Sequence, residues 1–139
     1  MKIQTVSVIV PVAQSEVFAF LAAIENLPAW ATEFCERVEH RAGRWIVHTA
    51  QGELFFEIEA DARTGVIDLR GGPTPEALAL FPVRVLALPS GVTAITFTFF
   101  QRPGMSEETF AQQCRSLLIE MRGLAERFGG GEVHAADAA

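Results

Sequence analysis

The sequence contains three histidines, whose imidazole side chains can serve in acid–base catalysis, hydrogen bonding or metal binding. His40 falls on the same predicted strand face as Val38 and Trp45. An imidazole there can act as a general acid or base, or donate a hydrogen bond to a ligand carbonyl. The alternative is a histidine at a hairpin end, in solvent or with its hydrogen bonds satisfied. His48 is predicted on the opposite, wet face, and His134 near the C-terminus has no predicted role.

Closely spaced carboxylates suggest a second chemistry, because paired acids serve hydrolytic enzymes. These residues are Glu39, Glu57, Glu59 and Asp68. Strand neighbours point to opposite faces, so Glu39 and His40 do not form a metal-ligand pair. Arg44 is predicted to pair with Glu59 across two strands. The pattern therefore favours a solvated, charged face over a catalytic pair.

The two cysteines, Cys35 and Cys114, show neither CxxC spacing nor a histidine at metal-ligand spacing. We predict two buried free thiols, although the sequence leaves a disulfide open. No GxSxG, P-loop, dinucleotide-binding or HExxH motif occurs. We therefore expect no metal and no cofactor, and His40 is the one candidate catalytic residue.

Composition narrows the possible partners. The chain has 139 residues, a net charge of −6 and 11 lysines and arginines. Nucleic-acid binding needs basic residues to neutralise phosphates, so we expect no nucleic-acid partner. No run reaches about 18 apolar residues, so the sequence predicts no membrane span. The N-terminal MKIQTVSVIVPV resembles a strand more than a signal peptide, and we expect a cytoplasmic protein.

The elements that must position these side chains begin with a strand and two short helices. β-branched residues fill 3–11 and predict the strand. A helix then follows with Gln14 or Ser15 as its N-cap. Asn26 is predicted in a left-handed position at its end, and a second helix over 28–34 begins with proline.

From 35 to 101 the apolar period is two, which predicts an antiparallel meander. The turn signals are Ala42-Gly43, Gln51-Gly52 and Ala62-Arg63. The registers implied by these turns pair His40 with Trp45, Trp45 with Ile58, and Phe56 with Leu69. They place an apolar set on one face: Val38, Trp45, Val47, Leu54, Phe56, Ile58, Ile67 and Leu69. They place a charged set on the other: Arg37, Glu39, Arg44, His48, Glu57, Glu59, Asp68 and Arg70. A slip of one residue would mix the two sets, so the pattern predicts one dry and one wet face.

A further hairpin and a long helix complete the predicted elements. The hairpin turns near 89–91 and pairs Val83 with Phe97. The helix spans about 106–128, with Ser106 as its N-cap and one continuous apolar stripe. Residues 129–139 are predicted to be a flexible C-terminal tail.

The stretch PVAQSEVFAFLAAIENLPAWATEF, residues 11 to 34, resembles the START-like superfamily. This group is also called the polyketide cyclase/dehydrase and lipid-transport, or SRPBCC, group. Its pattern is a strand ending near proline, a helix with Val-Phe and Leu, then Asn-Leu-Pro and a tryptophan. The resemblance covers residues 1–128 as a single domain. It implies an α+β helix-grip fold, in which a curved antiparallel sheet wraps around a long C-terminal helix and two short helices follow the first strand.

The resemblance also implies a ligand cavity between the sheet and the long helix. Members bind lipids, sterols, quinones, polyketides or plant hormones there, and some catalyse cyclisation or dehydration. The residues expected to line this cavity are Trp30, Phe34, His40, Trp45, Phe56, Phe97, Phe99, Leu117 and Met121. A solid core would use the same apolar side chains, so the sequence leaves both alternatives open.

Three functions are therefore open. The first is binding or transport of a small hydrophobic ligand, such as a lipid, a quinone or a polyketide-like molecule. The second is a cyclase or dehydratase acting on a hydrophobic substrate, with His40 as acid or base. The third is a homodimeric interaction module without a ligand, suggested by Phe55 and Phe100 on the predicted outer face.

Overall fold

The computed structural model describes residues 1–135, which form one antiparallel sheet and three α-helices. The strands are β1 (Ile3–Val10), β2 (Arg37–Arg41), β3 (Arg44–Thr49), β4 (Gly52–Asp61), β5 (Val66–Gly72), β6 (Ala79–Leu88), β7 (Val92–Phe100) and β8 (Glu132–Ala135). The helices are α1 (Gln14–Ala22), α2 (Leu27–Trp30) and α3 (Glu107–Arg127). The strand order is β2-β3-β4-β5-β6-β7-β1-β8, and α3 packs on β1. The predicted α+β helix-grip fold, with short helices after the first strand, is confirmed.

Two hairpins form in their predicted registers. His40 lies opposite Trp45 in β2–β3, and Val83 lies opposite Phe97 in β6–β7. The β2–β3 turn, Ala42-Gly43, has φ values of 50° and 78°. Two successive left-handed residues give a turn whose twist matches that of the strands it joins.

The registers on both sides of β4 differ from the prediction by two residues. Trp45 pairs with Phe56 rather than Ile58, and Phe56 pairs with Gly71 rather than Leu69. The β3–β4 turn closes one residue early, and the β4–β5 loop spans four residues instead of two. A slip of two keeps every side chain on its own face, so the dry and wet sets stay separate.

Both ends of α1 differ from the prediction. The N-cap is Ala13, which has no capping side chain. The side-chain amide of Gln14 instead donates from Nε2 to the backbone carbonyl of Val85 at 3.2 Å. Asn26 has φ −86° and ψ −6°, so it is not left-handed. Its Nδ2 instead donates to the carbonyl of Phe20 at 3.0 Å. A side-chain hydrogen bond therefore satisfies the helix end that a left-handed residue was expected to cap.

The other helices begin close to their predicted starts. Ser106 is the N-cap of α3, and its hydroxyl accepts the Thr109 amide hydrogen at 3.1 Å. The short helix α2 has its proline in the first turn but ends at Trp30 instead of residue 34. Among residues 1–135, no helix combines the length and apolar character needed to cross a membrane.

Residues 132–135 correct the prediction of a flexible tail over 129–139. They form β8, which pairs antiparallel with β1 and places Val133 opposite Val8. The Val133 side chain packs against the core. The edge of β1 offers unpaired backbone groups, and an alternating segment that reaches it gains hydrogen bonds and apolar burial. Residues 136–139, the rest of the predicted tail, lie outside the described residues.

One apolar cluster lies between the sheet and the helices. Its largest fully buried side chains are Phe110, Leu21, Leu27, Ile67, Ile95, Met121 and Leu124. The cluster joins α1, α2 and α3 to the inner face of the sheet, as the predicted dry face requires.

Candidate functional site

A depression of about 690 Å³ lies at the turn end of the β2–β3 hairpin, where β4 runs on beyond β3. Its lining residues, together called the hairpin pocket, are Ala42, Gly43, Arg44, Trp45, Phe55, Phe56, Glu57, Ile58, Glu59 and Pro75. Its volume lies within the range of small-molecule sites, about 300–1,000 Å³, and its lining mixes apolar side chains with the charged Arg44, Glu57 and Glu59.

Aromatic rings connect the hairpin pocket to solvent on one side and to the core on the other. The centroid of the exposed His40 ring lies 4.9 Å from that of the half-buried Trp45 ring. Trp45 pairs with Phe56 across the strands, and the Phe56 and Phe34 centroids are 5.9 Å apart. These four predicted ligand-binding residues therefore form one continuous aromatic surface.

The other predicted ligand-binding residues belong, like Phe56, to the buried core. They are Trp30, Phe97, Phe99, Leu117 and Met121, all at most 9% exposed. Of the nine predicted residues, only Trp45 and Phe56 line the hairpin pocket. The structure thus leaves Phe34, His40 and Trp45 partly or fully exposed and buries Phe56 with the rest. Contact of any of the nine residues with a ligand stays a prediction.

A second depression, of about 550 Å³, lies between α1 and the end of α3. Its lining residues are Pro11, Val12, Glu16, Phe20, Arg127, Phe128 and Gly129. The Arg127 guanidinium carbon lies 4.5 Å from the Phe20 ring centroid, a cation–π contact. None of the nine predicted residues lines this depression.

Glu120 is a buried acidic residue that the sequence analysis did not single out. Its side chain on α3 is 6% exposed, and Oε2 accepts the amide hydrogens of Glu33 at 3.1 Å and Phe34 at 3.0 Å. Burial raises the pKa of this carboxyl to about 7, against the opposing effect of the two amides. The available signal was its position in the apolar stripe, at helical spacing from Leu117 and Leu124.

Trp30 carries the second notable polar group of the interior. Its indole Nε1 is buried and has no hydrogen-bond partner among residues 1–135. Its ring packs edge-on against Phe97, with ring centroids 6.3 Å apart. A buried donor without an acceptor is costly, so a water or ligand oxygen beside it would be stabilising.

His48 lies in a charged network on the outer face, as predicted. Its Nε2 is 2.9 Å from Glu39 Oε1, and Arg41 bridges Glu39 and Glu53 at 2.9 and 3.0 Å. Hydrogen bonds from Arg41 and then His48 lower the pKa of Glu39 to about 2. The network joins β2 to β4 across β3, which is a structural role.

The predicted Arg44–Glu59 pair does not form. Glu59 instead lies 3.5 Å from Arg70, because the register shift around β4 moves Arg44 away from it. Both cysteines are free thiols; Cys35 is buried, and Cys114 is half-buried rather than fully buried as predicted. Within residues 1–135, no group of three or more candidate ligands is placed to hold a metal ion.

Comparison with known proteins identifies the class of fold. No protein-family model and no curated protein sequence matches the chain. A START superfamily protein from Mycobacterium smegmatis is 14% identical, with a TM-score of 0.64 over 91% of this chain and 99% of that one. The Aha1 dimer from Colwellia psychrerythraea is 11% identical, with a TM-score of 0.68 over 92% and 96%. The di-domain ARO/CYC BexL from the BE-7585A biosynthetic pathway is 17% identical, with a TM-score of 0.65 over 92% and 45%.

All three neighbours have SRPBCC-type folds, and the chain shares their START-like helix-grip fold. The resemblance predicted from residues 11 to 34 is therefore confirmed at the level of the fold. Because the identities lie between 11% and 17%, the likeness concerns the fold alone. Any activity has to be argued from the site.

Proposed function

We propose that this protein binds a small hydrophobic molecule, such as a lipid, a quinone or a polyketide-like compound, in the hairpin pocket. The half-buried Trp45 ring, which lines a depression of about 690 Å³, is the observation that carries the proposal. Structural neighbours that include a START superfamily protein and an ARO/CYC protein support it at the level of fold.

The chemistry of the pocket fits such a ligand. Trp45, Phe56 and Ile58 provide apolar surface, and each Å² of ligand surface they remove from water contributes about 25 cal/mol. Arg44, Glu57 and Glu59 line the same depression and supply polar contacts that orient a ligand.

The cyclase or dehydratase alternative depends on His40. Its imidazole is exposed beside Trp45, so an acid–base role would act at the rim of the pocket and not inside a closed cavity. Water competes at such a position, which weakens the case for proton transfer to a bound substrate. Binding without chemistry is the function that this geometry favours.

The binding proposal is tested by titration with the fluorescent hydrophobic probe 1-anilinonaphthalene-8-sulfonate. Trp45→Ala should raise the dissociation constant about tenfold, a loss of about 1.4 kcal/mol of binding free energy. The reason is that it removes the largest side chain that lines the pocket. The matched control is Leu86→Ala, an apolar side chain that is 44% exposed on another strand and should bind as the wild type does. Equal weakening in both variants, or no saturable binding by the wild type, would refute the site.

Native mass spectrometry of freshly purified protein, compared with a denatured sample, would identify the natural ligand's class. A reproducible extra mass that is lost on denaturation supports the proposal. The same spectrum would show whether the chain forms the homodimer that remains the third prediction.

A further inference from the structure

Glu120 holds a segment of chain that lies directly behind the hairpin pocket. Its Oε2 accepts hydrogen bonds from two backbone amides in the connection between α2 and β2. The N···O distances are 3.1 Å for Glu33 and 3.0 Å for Phe34. Within that connection, the Cys35 amide donates to the Ala31 carbonyl at 2.8 Å. Residues 31–35 are therefore a compact turn tied to α3 by one carboxylate oxygen.

The electrostatic surroundings give this carboxylate no counter-charge. Among residues 1–135, the titratable groups that act on it are Glu33 and the Cys35 thiol, both from the same connection, and neither is basic. Within the described part of the chain, its hydrogen-bond partners are the two backbone amides. A group buried at this cost, with these partners, serves to fix the backbone that it binds.

Phe34 connects Glu120 to the hairpin pocket through two contacts. Its amide is bonded to Glu120, and its ring lies 5.9 Å from the Phe56 ring, which lines the hairpin pocket. A movement of residues 31–35 away from α3 would remove the ring that supports Phe56 from behind.

We propose that Glu120 is a positioning residue for the hairpin pocket, which holds Phe34 against Phe56 by tying residues 31–35 to α3. This inference rests on the proposed function of the pocket. The geometry assigns the role to one oxygen, and glutamine, which keeps a carbonyl oxygen at that place, should preserve the bonds.

The direction of the pH dependence follows from linkage. While the carboxyl is buried its pKa is about 7, and when residues 31–35 leave α3 it meets water, where the ordinary value is 4.5. The buried state therefore binds more protons, and release becomes easier as the pH rises from about 4.5 to 7. Well above pH 7 the carboxyl is ionised in both states, so the equilibrium between the bound and the released segment no longer depends on pH.

Nuclear magnetic resonance of the free protein tests the tie between Glu120 and the segment. The Glu33 and Phe34 amide resonances should titrate with a midpoint near pH 7 in the wild type, and should be flat in Glu120→Gln. Glu33→Gln, which removes the neighbouring exposed carboxylate, is the matched control and should still titrate. Persistence of the transition in Glu120→Gln, or its absence from the wild type, would overturn the assignment.

Probe binding tests the link to the pocket, with all chains carrying His40→Gln so that no imidazole titrates at the rim. Affinity for 1-anilinonaphthalene-8-sulfonate should fall at least about threefold between pH 5 and pH 8, and should be constant in the Glu120→Gln variant. Equal pH dependence with and without Glu120 would overturn the link. Failure of every chain to bind the probe would reject the proposed function, whereas the amide titration decides separately whether Glu120 holds the segment.

Discussion

Three polar side chains show how differently this core satisfies buried groups. The Thr93 hydroxyl donates to the Val12 carbonyl, and the Glu120 carboxylate accepts two amides. The Trp30 indole donates to no described group. Since buried polar atoms cost free energy unless they are paired, the carboxylate and the indole are positions at which proton or ligand binding would change the stability of the core.

At the residue scale, the raised pKa of Glu120 predicts a pH-dependent stability. The folded-state pKa of about 7 lies above the ordinary 4.5, so the folded chain binds more protons and loses stability as the pH rises through this range. From pH 5 to pH 8 the wild type should lose roughly 2–3 kcal/mol relative to Glu120→Gln. Urea unfolding at both pH values measures this difference, and a constant gap between the two proteins would contradict it.

At the element scale, β8 depends on a close approach between two backbones. A Cβ built on Gly131 would lie 1.8 Å from the carbonyl oxygen of Ile9, so only glycine fits between α3 and β1 at this position. The preceding Gly129 and Gly130 have φ of 93° and 81°, which suits the reversal that brings β8 alongside β1. These glycines allow the C-terminal segment to reach β1, where its backbone pairing and the Val133 side chain hold it.

Gly131→Ala is therefore expected to detach β8 while the remaining strands stay paired. Amide hydrogen exchange should show loss of protection at Val133, with β7 protected as before. The control is Gly123→Ala on α3, where a Cβ meets nothing within 4 Å. That change should raise the free energy of unfolding by up to about 1 kcal/mol, because alanine favours the helix over glycine. Unchanged protection in Gly131→Ala would contradict this account of β8.

At the scale of the whole molecule, a single core couples α3 to the sheet. Met121 has 0% exposure and belongs to the cluster that includes all three helices. Ile119, two residues earlier on the same helix, is 50% exposed. A chain with one core of this kind is expected to unfold in one cooperative transition.

Met121→Ala should therefore lower the free energy of unfolding of the entire chain by about 2–5 kcal/mol, as a cavity-forming change does. Ile119→Ala should alter it by less than about 0.5 kcal/mol. Circular dichroism and tryptophan fluorescence, followed together during urea unfolding, should give coincident curves for both variants. Separate transitions for the two signals would show that α3 and the sheet are not one cooperative unit.

The sequence by itself determined the faces of the strands in the meander and the apolar stripe of α3. A period of two separates apolar from charged side chains on each strand, and the stripe of α3 is read from local spacing alone. The hairpin with His40 opposite Trp45 followed from the short turn at Ala42-Gly43. These properties depend on neighbours along the chain, which is why they were predictable.

Only the tertiary structure decided the rest. The registers on both sides of β4 could move by two residues without exposing any apolar side chain, so face patterning did not fix them. Docking of β8 required the free edge of β1, and burial of Glu120 required residues 31–35 to meet α3. The hairpin pocket lies where β4 extends beyond the end of β3. Each of these features joins segments that are distant along the chain, and no local pattern records where such segments meet.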